Sequence, residues 1–299
     1  MDAQRIKRPK PPRGTNRWVW IVISAIVVIF LILRIADLAS GDDGFGVGDK
    51  VGLVRIEGPI MSSRSVVEDL DALSQRNDIK AILVRINSPG GAIAPSQEIY
   101  EKLRSVRAVK PVVTSMGSVA ASGGYYIALG SSVIMANKGT VTGSIGVIME
   151  YPVAVELLDK IGLSIETIKS GKLKDAGSGS REATERDRQY FQNIVSDLHE
   201  QFIAVVVDER ALDRETVMEL ADGRVYTGTQ SLALGLIDSL GTLEDAVKLA
   251  GQLGNITGKP KTFEIKHRRT GLMELLMGSG GQSAVSWFNS MPVYRWRGK

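Results

Sequence analysis

Short runs of branched aliphatic residues alternate with amphipathic segments through most of the chain after residue 50. The runs at 51–56 and 80–86 are apolar and rich in valine, isoleucine and leucine, which is typical of buried strands. Between them, Val66, Leu70 and Leu73 recur at the spacing that places apolar side chains on one face of a helix. Because strands that alternate with helices build a largely parallel sheet covered by helices, the pattern predicts an α/β fold.

The alternation continues as far as residue 253. Strands are predicted at 111–115, 132–136 and 162–169, and helices at 65–76, 95–108, 122–129, 181–209, 214–221, 229–235 and 242–253. Strand–turn–helix units recur at 80–108 and 112–130, although the sequence contains no sharp repeat. We therefore expect one main domain over residues 51–255.

The most uniformly apolar segment lies near the N-terminus. Residues 18–33 contain no charged side chain, and Arg34 could extend its guanidinium to the membrane surface from a helix end. Continued for a further turn, the segment reaches the roughly 20 residues that a membrane-spanning helix needs. Trp18 and Trp20 stand where interfacial aromatic side chains are typical. The pattern predicts a transmembrane signal anchor at 18–38.

Charge sets the orientation of this anchor. Residues 1–17 carry six Lys or Arg and one Asp, whereas Asp37, Asp42 and Asp43 follow the apolar run. Because positive charge is retained in the cytoplasm, we expect the N-terminus inside and the main domain on the periplasmic or extracytoplasmic side of the cytoplasmic membrane. The alternative is a cleaved signal peptide, but the apolar run exceeds the usual length and no small-x-small cleavage site follows it. Whether the anchor is ever cleaved stays open.

Composition separates two further segments from the main domain. Residues 39–50 are rich in Gly and Asp and are expected to form a linker. Residues 256–299 form a basic C-terminal tail with Trp, Phe and Tyr near its end. We expect this tail to be disordered or ordered by a partner, with contact to a membrane surface as an alternative.

The net charge of +4 arises at the two ends of the chain. Residues 1–17 and 261–299 each carry +5, so residues 18–260 carry −6. A protein that binds nucleic acid places its basic surface on the folded domain, and this domain is acidic. The sequence therefore predicts no nucleic-acid partner.

Few residue types are left to supply a nucleophile and a base. The sequence has no cysteine, which excludes thiol nucleophiles, zinc–thiolate sites and disulfides. His199 opens H-E-Q-F-I, which lacks the second histidine of a zinc-hydrolase motif, and His267 lies in the basic run K-H-R-R. Neither a Walker A motif nor a Rossmann fingerprint is present, so no metal and no cofactor is expected. A serine activated by a lysine is the simplest remaining arrangement.

Ser122 is the strongest candidate nucleophile. It lies in M-G-S-V-A-A-S-G-G-Y-Y-I-A, where small neighbours favour a sharp strand-to-helix turn that exposes a hydroxyl. Gly123 supplies an amide at the start of the helix, and such amides stabilise negative charge. A second amide could come from N-S-P-G-G at 87–91, where Gly90 and Gly91 permit close approach of the backbone to a ligand.

The candidate bases are Lys169, Lys172 and Lys174, which lie close together in K-S-G-K-L-K-D. Free lysine has a pKa of about 10.4, so the site must lower the pKa of the amine that acts as the base. The residue pattern alone does not choose among the three. Ser144, in T-V-T-G-S-I-G-V, is the leading candidate for a hydroxyl that orients the lysine amine.

Five segments together resemble the signal peptide peptidase A family of bacteria, in its short, single-domain form. They are R-I-N-S-P-G-G, M-G-S-V-A-A-S-G-G-Y-Y-I-A, G-T-V-T-G-S-I-G-V-I, S-G-K-L-K-D and G-R-V-Y-T-G-T-Q-S-L-A-L-G-L-I-D, and the resemblance covers residues 51–255. It implies a Clp protease/crotonase-like α/β fold built from repeated ββα units. It also implies a serine endopeptidase with a Ser/Lys dyad that degrades cleaved signal peptides at the membrane and assembles into a ring-like homo-oligomer.

The resemblance also implies roles for individual residues. These are nucleophile for Ser122, general base for Lys174, base-orienting hydroxyl for Ser144, and oxyanion hole for Gly123 with Gly91 or Gly90. Ser118 departs from the aspartate or glycine that is more usual in the family, but the positions of the catalytic residues all match.

Two other classes of function stay open. A crotonase-like acyl-CoA enzyme would share the paired-amide oxyanion hole, although a lysine base near a serine and an N-terminal anchor disfavour it. A non-catalytic membrane scaffold could keep the fold without the chemistry. Cleavage preference, oligomer number and the role of the tail are not predicted by the sequence.

Overall fold

The computed structural model describes residues 21–29, 48–265 and 293–295, and the chain divides into two compact units, Met1–Gly48 and Asp49–Lys299. In the first unit, residues 21–29 form helix α1, whose side chains are exposed. Within the described ranges, no helix has both the length and the apolar character needed to cross a membrane. The predicted anchor at 18–38 lies partly outside these ranges, as does most of the predicted linker at 39–50.

The second unit alternates strands and helices. The strands are β1 (Lys50–Glu57), β2 (Ile79–Ser88), β3 (Gly90–Ala92), β4 (Val112–Ala121), β5 (Val133–Ala136), β6 (Val141–Gly143), β7 (Val225–Thr227), β8 (Ser239–Leu240), β9 (Lys261–Glu264) and β10 (Val293–Arg295). The helices are α2 (Arg64–Gln75), α3 (Ile93–Arg107), α4 (Gly123–Ala128), α5 (Val155–Lys160), α6 (Glu185–Arg210), α7 (Arg214–Leu220), α8 (Gly228–Ala233) and α9 (Leu243–Leu253).

The strands form one eight-stranded sheet and one two-stranded sheet. The large sheet has the order β7-β6-β4-β2-β1-β9, with β5 and β8 branching from β4. Its pairs are parallel, apart from the antiparallel pair of β6 and β7. Strand β4 pairs with β5 through its first half and with β6 through its last three residues. The predicted α/β fold with a largely parallel central sheet is thereby confirmed.

Helices cover both faces of the sheet, which is why its central strands bury apolar side chains on both faces. In β2, Ile82, Val84 and Ile86 belong to the larger hydrophobic cluster, which α2, α3, α4 and α6 cover. The intervening residues Ala81 and Leu83 belong to a smaller cluster that α9 covers on the opposite face. Because successive side chains of a strand point to opposite faces, a strand buried on both sides has no polar alternation.

The sequence misassigned one strand and missed several short ones. Residues 162–169 were expected to form a strand, but they are irregular and every one of them is exposed. Their apolar side chains satisfy the strand pattern, yet no neighbouring strand pairs with them in the described part of the chain. Strands β6, β7 and β8 have only two or three residues, too few to give a periodic signal.

The expectation of a disordered tail was wrong at two places. Strand β9 pairs in parallel with β1 and so extends the sheet beyond residue 255. Without β9, that edge of β1 would present unpaired backbone groups, which favours the addition of a strand. The ring of Phe263 in β9 also lies under the guanidinium of Arg76, at 4.1 Å. The second ordered piece is β10, which pairs with β3.

Candidate active site

Ser122 occupies a sharp turn between the end of β4 and the start of α4. Its backbone angles are φ 55° and ψ −116°, a conformation that costs free energy for any residue other than glycine. Two hydrogen bonds hold the turn: the Ser122 amide donates to the Gly143 carbonyl at 2.8 Å, and its carbonyl accepts from the Tyr126 amide at 2.9 Å. The structure thus builds the strand–turn–helix element on which the candidate nucleophile was predicted to lie.

The Ser122 hydroxyl is completely buried and has no hydrogen-bond partner among the residues that the structure describes. A buried polar group left without a partner costs about 1–3 kcal/mol, and native proteins contain few of them. A catalytic role is one recognised explanation of such a group. The hydroxyl is therefore a candidate for reaction rather than for support of the fold.

Helix α4 is anchored firmly behind Ser122. The Tyr125 hydroxyl donates to the Leu236 carbonyl at 2.9 Å, and complete burial raises the pKa of Tyr125 so that the phenol stays a neutral donor. The next ring, Tyr126, packs edge-on between Tyr100 and Phe202, with centroids 5.1 and 5.0 Å away. A rigid helix start keeps the amide of Gly123 in a fixed place beside the hydroxyl.

The ends of β2 and β4 bring the two glycine-rich segments to the same edge of the sheet. Ser88 lies opposite Ala120 in the parallel register, and the side-chain oxygen of Asn87 accepts from the Val119 amide at 3.2 Å. At Gly124, a β-carbon would lie 3.0 Å from the Ser88 carbonyl oxygen, so a side chain there would push the two segments apart. This edge, at the carboxyl ends of parallel strands, is where open α/β sheets bind ligands.

Strand β3 follows this junction and carries the second pair of candidate amides. The Gly90 amide donates to the Ser88 hydroxyl at 3.1 Å, which leaves Gly91 as the better candidate for an oxyanion donor. Gly91 runs against the backbone of Ile60, and a β-carbon at this position would overlap the Ile60 carbonyl. Hydrogen bonds from the Ile60 amide to Gly90 and from the Ala92 amide to Ile60 fix this approach.

Strand β10, near the C-terminus, lies along β3. Val293–Arg295 pair with Gly90–Ala92 in antiparallel fashion, with Tyr294 opposite Gly91. Strand β10 also contacts α4. Addition of an extended segment to a strand edge is a common way for proteins to bind peptides. Strand β3, which carries the candidate oxyanion donors, can therefore pair with the backbone of an extended peptide.

Ser144 lies next to the turn of Ser122. Ala121 is paired with Gly143 in the sheet, and Ser144 is the residue that follows Gly143. Ser144 is buried, and its amide donates to the Arg224 carbonyl at 2.8 Å. The structure thus brings Ser122, its following amide, the glycines of β3 and Ser144 together.

The lysines are not brought to this cluster. Lys172 and Lys174 are exposed, and neither side chain makes a hydrogen bond or ion pair within the described ranges. Lys169 is engaged elsewhere, because its ammonium lies 2.6 and 2.7 Å from the two carboxylate oxygens of Asp175. Of the three candidate bases, Lys169 is thus the least suitable, since an ion pair favours its charged form.

An exposed apolar stretch precedes the lysines. Ile161 is 64% exposed and Ile168 97% exposed, and the side chains of Val153, Leu157 and Leu163 are also mostly in solvent. An exposed apolar patch of this kind typically marks a surface for binding another protein or a membrane. No group of three or more potential metal ligands occurs in the part of the chain that is described.

Sequence reasoning missed the residues that hold the lysine segment in place. Asp175 and Arg181 are joined by two hydrogen bonds, and Arg181 continues to Asp187. The available signal was the alternation of charge at intervals of six residues, from Lys169 through Asp175 and Arg181 to Asp187.

Comparison with known families gives one matching profile. The profile described as "Peptidase family S49" matches residues 104–257. The matched range contains Ser122, Ser144 and Lys174, whereas the glycines of β3 lie before it.

Individual relatives agree with this match. The chain is 44% identical over 209 residues to a candidate protease of Synechocystis sp., covering 69% of this chain and 75% of the relative. It is 36% identical over 217 residues to a candidate signal peptide peptidase SppA of Enterococcus faecium, covering 72% of this chain and 63% of the relative. It is 32% identical over 253 residues to the chloroplastic serine protease SPPA of Arabidopsis thaliana, covering 81% of this chain but only 37% of the relative.

Proposed function

Because the chain belongs to peptidase family S49, we propose that this peptidase is a serine endopeptidase with Ser122 as the nucleophile and Lys174 as the general base. The observation that carries the proposal is the Ser122 hydroxyl, buried without a partner at a strained turn between two glycine-rich segments. Strained and unsatisfied groups persist in folded proteins chiefly where chemistry requires them.

The reaction follows from the groups around Ser122. The neutral amine of Lys174 takes the hydroxyl proton while the oxygen attacks the scissile carbonyl, and the proton then passes to the leaving amine. The amides of Gly123 and Gly91, with Gly90 as the alternative, donate to the oxyanion. Water activated by the same amine releases the acyl group from Ser122. The Ser144 hydroxyl would orient the lysine amine.

The dyad requires Lys174 to reach Ser122, and we infer that it does so between neighbouring copies of the chain. Lys174 lies on an exposed segment, and the Ser122 hydroxyl has no partner within the described ranges of one chain. The exposed apolar stretch around Ile161 and Ile168 would be covered by a neighbour. Repetition of this contact around a closed axis gives the ring-like homo-oligomer that the family resemblance implies.

The sheet edge at Ser122 also fits the Clp protease/crotonase-like fold. That fold would equally serve an acyl-CoA enzyme, which uses the same pair of backbone donors. The protease is favoured because the relatives from Synechocystis sp., Enterococcus faecium and Arabidopsis thaliana are named as proteases or candidate proteases. Turnover of acyl-CoA thioesters by the purified protein, with no cleavage of peptides, would contradict the proposal.

We infer the substrate class and location from the sequence and the relatives. Extended apolar peptides, including the signal peptides left in the membrane after processing, suit a strand edge at which a peptide backbone pairs. The apolar run at 18–33 and the basic residues before it favour an anchor at 18–38 in the cytoplasmic membrane, with the domain outside. The Enterococcus faecium relative is itself named as a candidate signal peptide peptidase.

Covalent labelling of Ser122 tests the proposal directly. A fluorophosphonate probe should label the wild-type protein in detergent, and the mass of one tryptic peptide containing Ser122 should increase. The variant S122A should neither be labelled nor cleave an apolar peptide. Labelling of the wild type at another serine would exclude Ser122 as the nucleophile, and an unreactive wild type would favour the non-catalytic scaffold.

A further inference from the structure

Four charged side chains of alternating sign surround the turn that carries Lys174. They are Lys169, Asp175, Arg181 and Asp187, and each contacts the next. We propose that these four residues, here named the lysine-turn clasp, position Lys174 for catalysis. The inference rests on the proposed function, because it assigns to the clasp the placing of the general base. Its members are positioning residues, since none of them touches the nucleophile.

The first contact closes a loop around the candidate base. Lys169 and Asp175 are six positions apart, and the ammonium of one lies 2.6 and 2.7 Å from the two carboxylate oxygens of the other. Lys174 lies inside the loop, directly before Asp175. Within the loop, single hydrogen-bonded turns hold the backbone. In one of them the Lys174 amide donates to the Gly171 carbonyl at 3.1 Å.

The second contact ties this loop to the residues that follow it. The Arg181 guanidinium forms a bidentate ion pair with the Asp175 carboxylate. Its Nε donates to Oδ2 at 3.0 Å and its Nη2 donates to Oδ1 at 2.9 Å. A bidentate pair fixes direction as well as distance, because the guanidinium and carboxylate must be nearly coplanar. The backbone next to Lys174 is therefore oriented as well as tethered.

The third contact carries the restraint to the start of α6. Arg181 Nη1 donates to Asp187 Oδ2 at 2.5 Å, and the same oxygen accepts from the Thr184 amide at 2.9 Å and the Thr184 hydroxyl at 2.8 Å. Thr184 and Asp187 form the capping box of α6. Further along, α6 enters the core at Phe202 and Val206, so the lysine turn is connected to the rigid part of the domain.

The two carboxylates of the clasp are shielded from solvent. The Asp175 side chain is 9% exposed and the Asp187 side chain 2% exposed, whereas the lysines within the turn point into solvent. The bonds from Arg181 hold the pKa of both carboxyls well below the ordinary range, with Lys169 adding to the effect at Asp175. Both carboxylates stay ionised at neutral pH, so the ion pairs persist under assay conditions.

The surroundings of the turn explain why it needs such a restraint. Residues 161–172 are exposed throughout and contain no helix or strand. A general base must be held within hydrogen-bond reach of its proton, and a displacement of about 1 Å can cost about a hundredfold in rate. Side-chain ion pairs at both ends of the loop supply the positional precision that its backbone turns do not.

The test uses the variants D175N, R181Q and their double mutant, with R214Q as the matched control. Arg214 forms the same kind of ion pair, with Glu200, on the exposed surface between α6 and α7. We expect kcat to fall about tenfold to a hundredfold in either single variant, with KM within about twofold of the wild type. The loss of kcat in the double mutant should be smaller than the product of the two single losses, because both changes break the Asp175–Arg181 contact.

Conservative replacement separates positioning from general stability. R181K retains a positive charge and should recover part of the kcat lost in R181Q, and R214Q should match the wild type. Wild-type kcat in both D175N and R181Q would overturn the clasp. The clasp would also be overturned if kcat fell in proportion to Tm in every variant, including R214Q.

The proposed Ser122/Lys174 dyad is tested separately from the clasp. If S122A and K174A are inactive while D175N and R181Q are fully active, the dyad stands and the clasp is rejected. If S122A or K174A retains wild-type activity, the dyad itself fails and the clasp has no base to position. Should D175N not fold, R181Q and K169Q give the same comparison through partners that are about one-third exposed.

Discussion

At Ser122 three unfavourable features fall on one residue: a positive φ, complete burial and a hydroxyl without a partner in the described part of the chain. Each of the first and third costs on the order of 1–3 kcal/mol. The hydrogen bonds to Gly143 and Tyr126 and the packing of α4 hold the turn against this cost. A serine that merely linked a strand to a helix would need none of these features.

Removal of the Ser122 hydroxyl should therefore leave the fold at least as stable as before. In S122A the buried unsatisfied oxygen is lost while the turn keeps its backbone bonds, so unfolding should cost the same free energy or about 1 kcal/mol more. Peptidase activity should fall by about a thousandfold or more. Thermal denaturation of the purified variant, run beside a peptide-cleavage assay, measures both quantities.

A clear loss of stability in S122A would mean that the hydroxyl has a structural partner. S88A is a suitable comparison, because the Ser88 hydroxyl does accept a hydrogen bond, from the Gly90 amide. That variant should lose stability, unlike S122A.

The three lysines are separated by a second experiment on single residues. K174M keeps most of the aliphatic length of the side chain but cannot accept a proton, and activity should fall by about a thousandfold. K172M changes a neighbouring exposed lysine in the same way and should stay within about twofold of the wild type. Steady-state cleavage of one peptide by both variants gives the comparison, and the reverse order would move the base to Lys172.

At the scale of single elements, the sequence predicts those that are long or bounded by unusual residues. Strands β1 and β2 follow from their apolar runs, and the start of α4 follows from the small residues around Ser122. Residues 162–169 have the same apolar character as a strand but lie exposed. The pattern of one segment records what its side chains prefer and not whether a partner strand lies within reach.

Some features of the candidate site can likewise be predicted from local sequence, and others depend on the fold. Its backbone donors come from local motifs, so Gly91 and Gly123 could be found by inspection of the sequence. The pairing of β10 with β3 joins residues about 200 positions apart, and nothing in either segment predicts it. The ion pair of Lys169, which removes one candidate base, depends on how the turn closes and is equally invisible before the fold is known.

Strand β3 offers a prediction about an element rather than a single group. In G91A the new β-carbon would overlap the Ile60 carbonyl, so β3 and the preceding turn must shift. Overpacking of this kind costs about 1–3 kcal/mol, and displacement of an oxyanion donor should lower kcat by about a hundredfold or more. G139A is the control, because a β-carbon at Gly139 meets no atom within 4 Å. Equal behaviour of the two variants in urea unfolding and kinetics would show that close approach at Gly91 is not required.

For the molecule as a whole, the proposed dyad between neighbouring copies has a direct consequence. A mixture of S122A and K174A, each inactive alone, should recover activity when unfolded together and refolded. In a random one-to-one ring, about a quarter of the sites would join a Ser122 from one variant to a Lys174 from the other. A mixture that stays as inactive as its components would mean that serine and lysine meet within one chain.

Strand β10 offers a second prediction at the scale of the whole molecule. Because β10 already pairs with β3, the strand edge beside Gly91 is covered by the chain itself. A protein truncated after residue 290 should bind extended peptides with a lower KM, while kcat stays close to that of the full chain, since no group of the proposed dyad is removed. A synthetic peptide of residues 288–299 should then inhibit the truncated protein competitively. If truncation instead lowers kcat and stability together, β10 is a structural strand that completes β3, and a peptide substrate must use another edge of the domain.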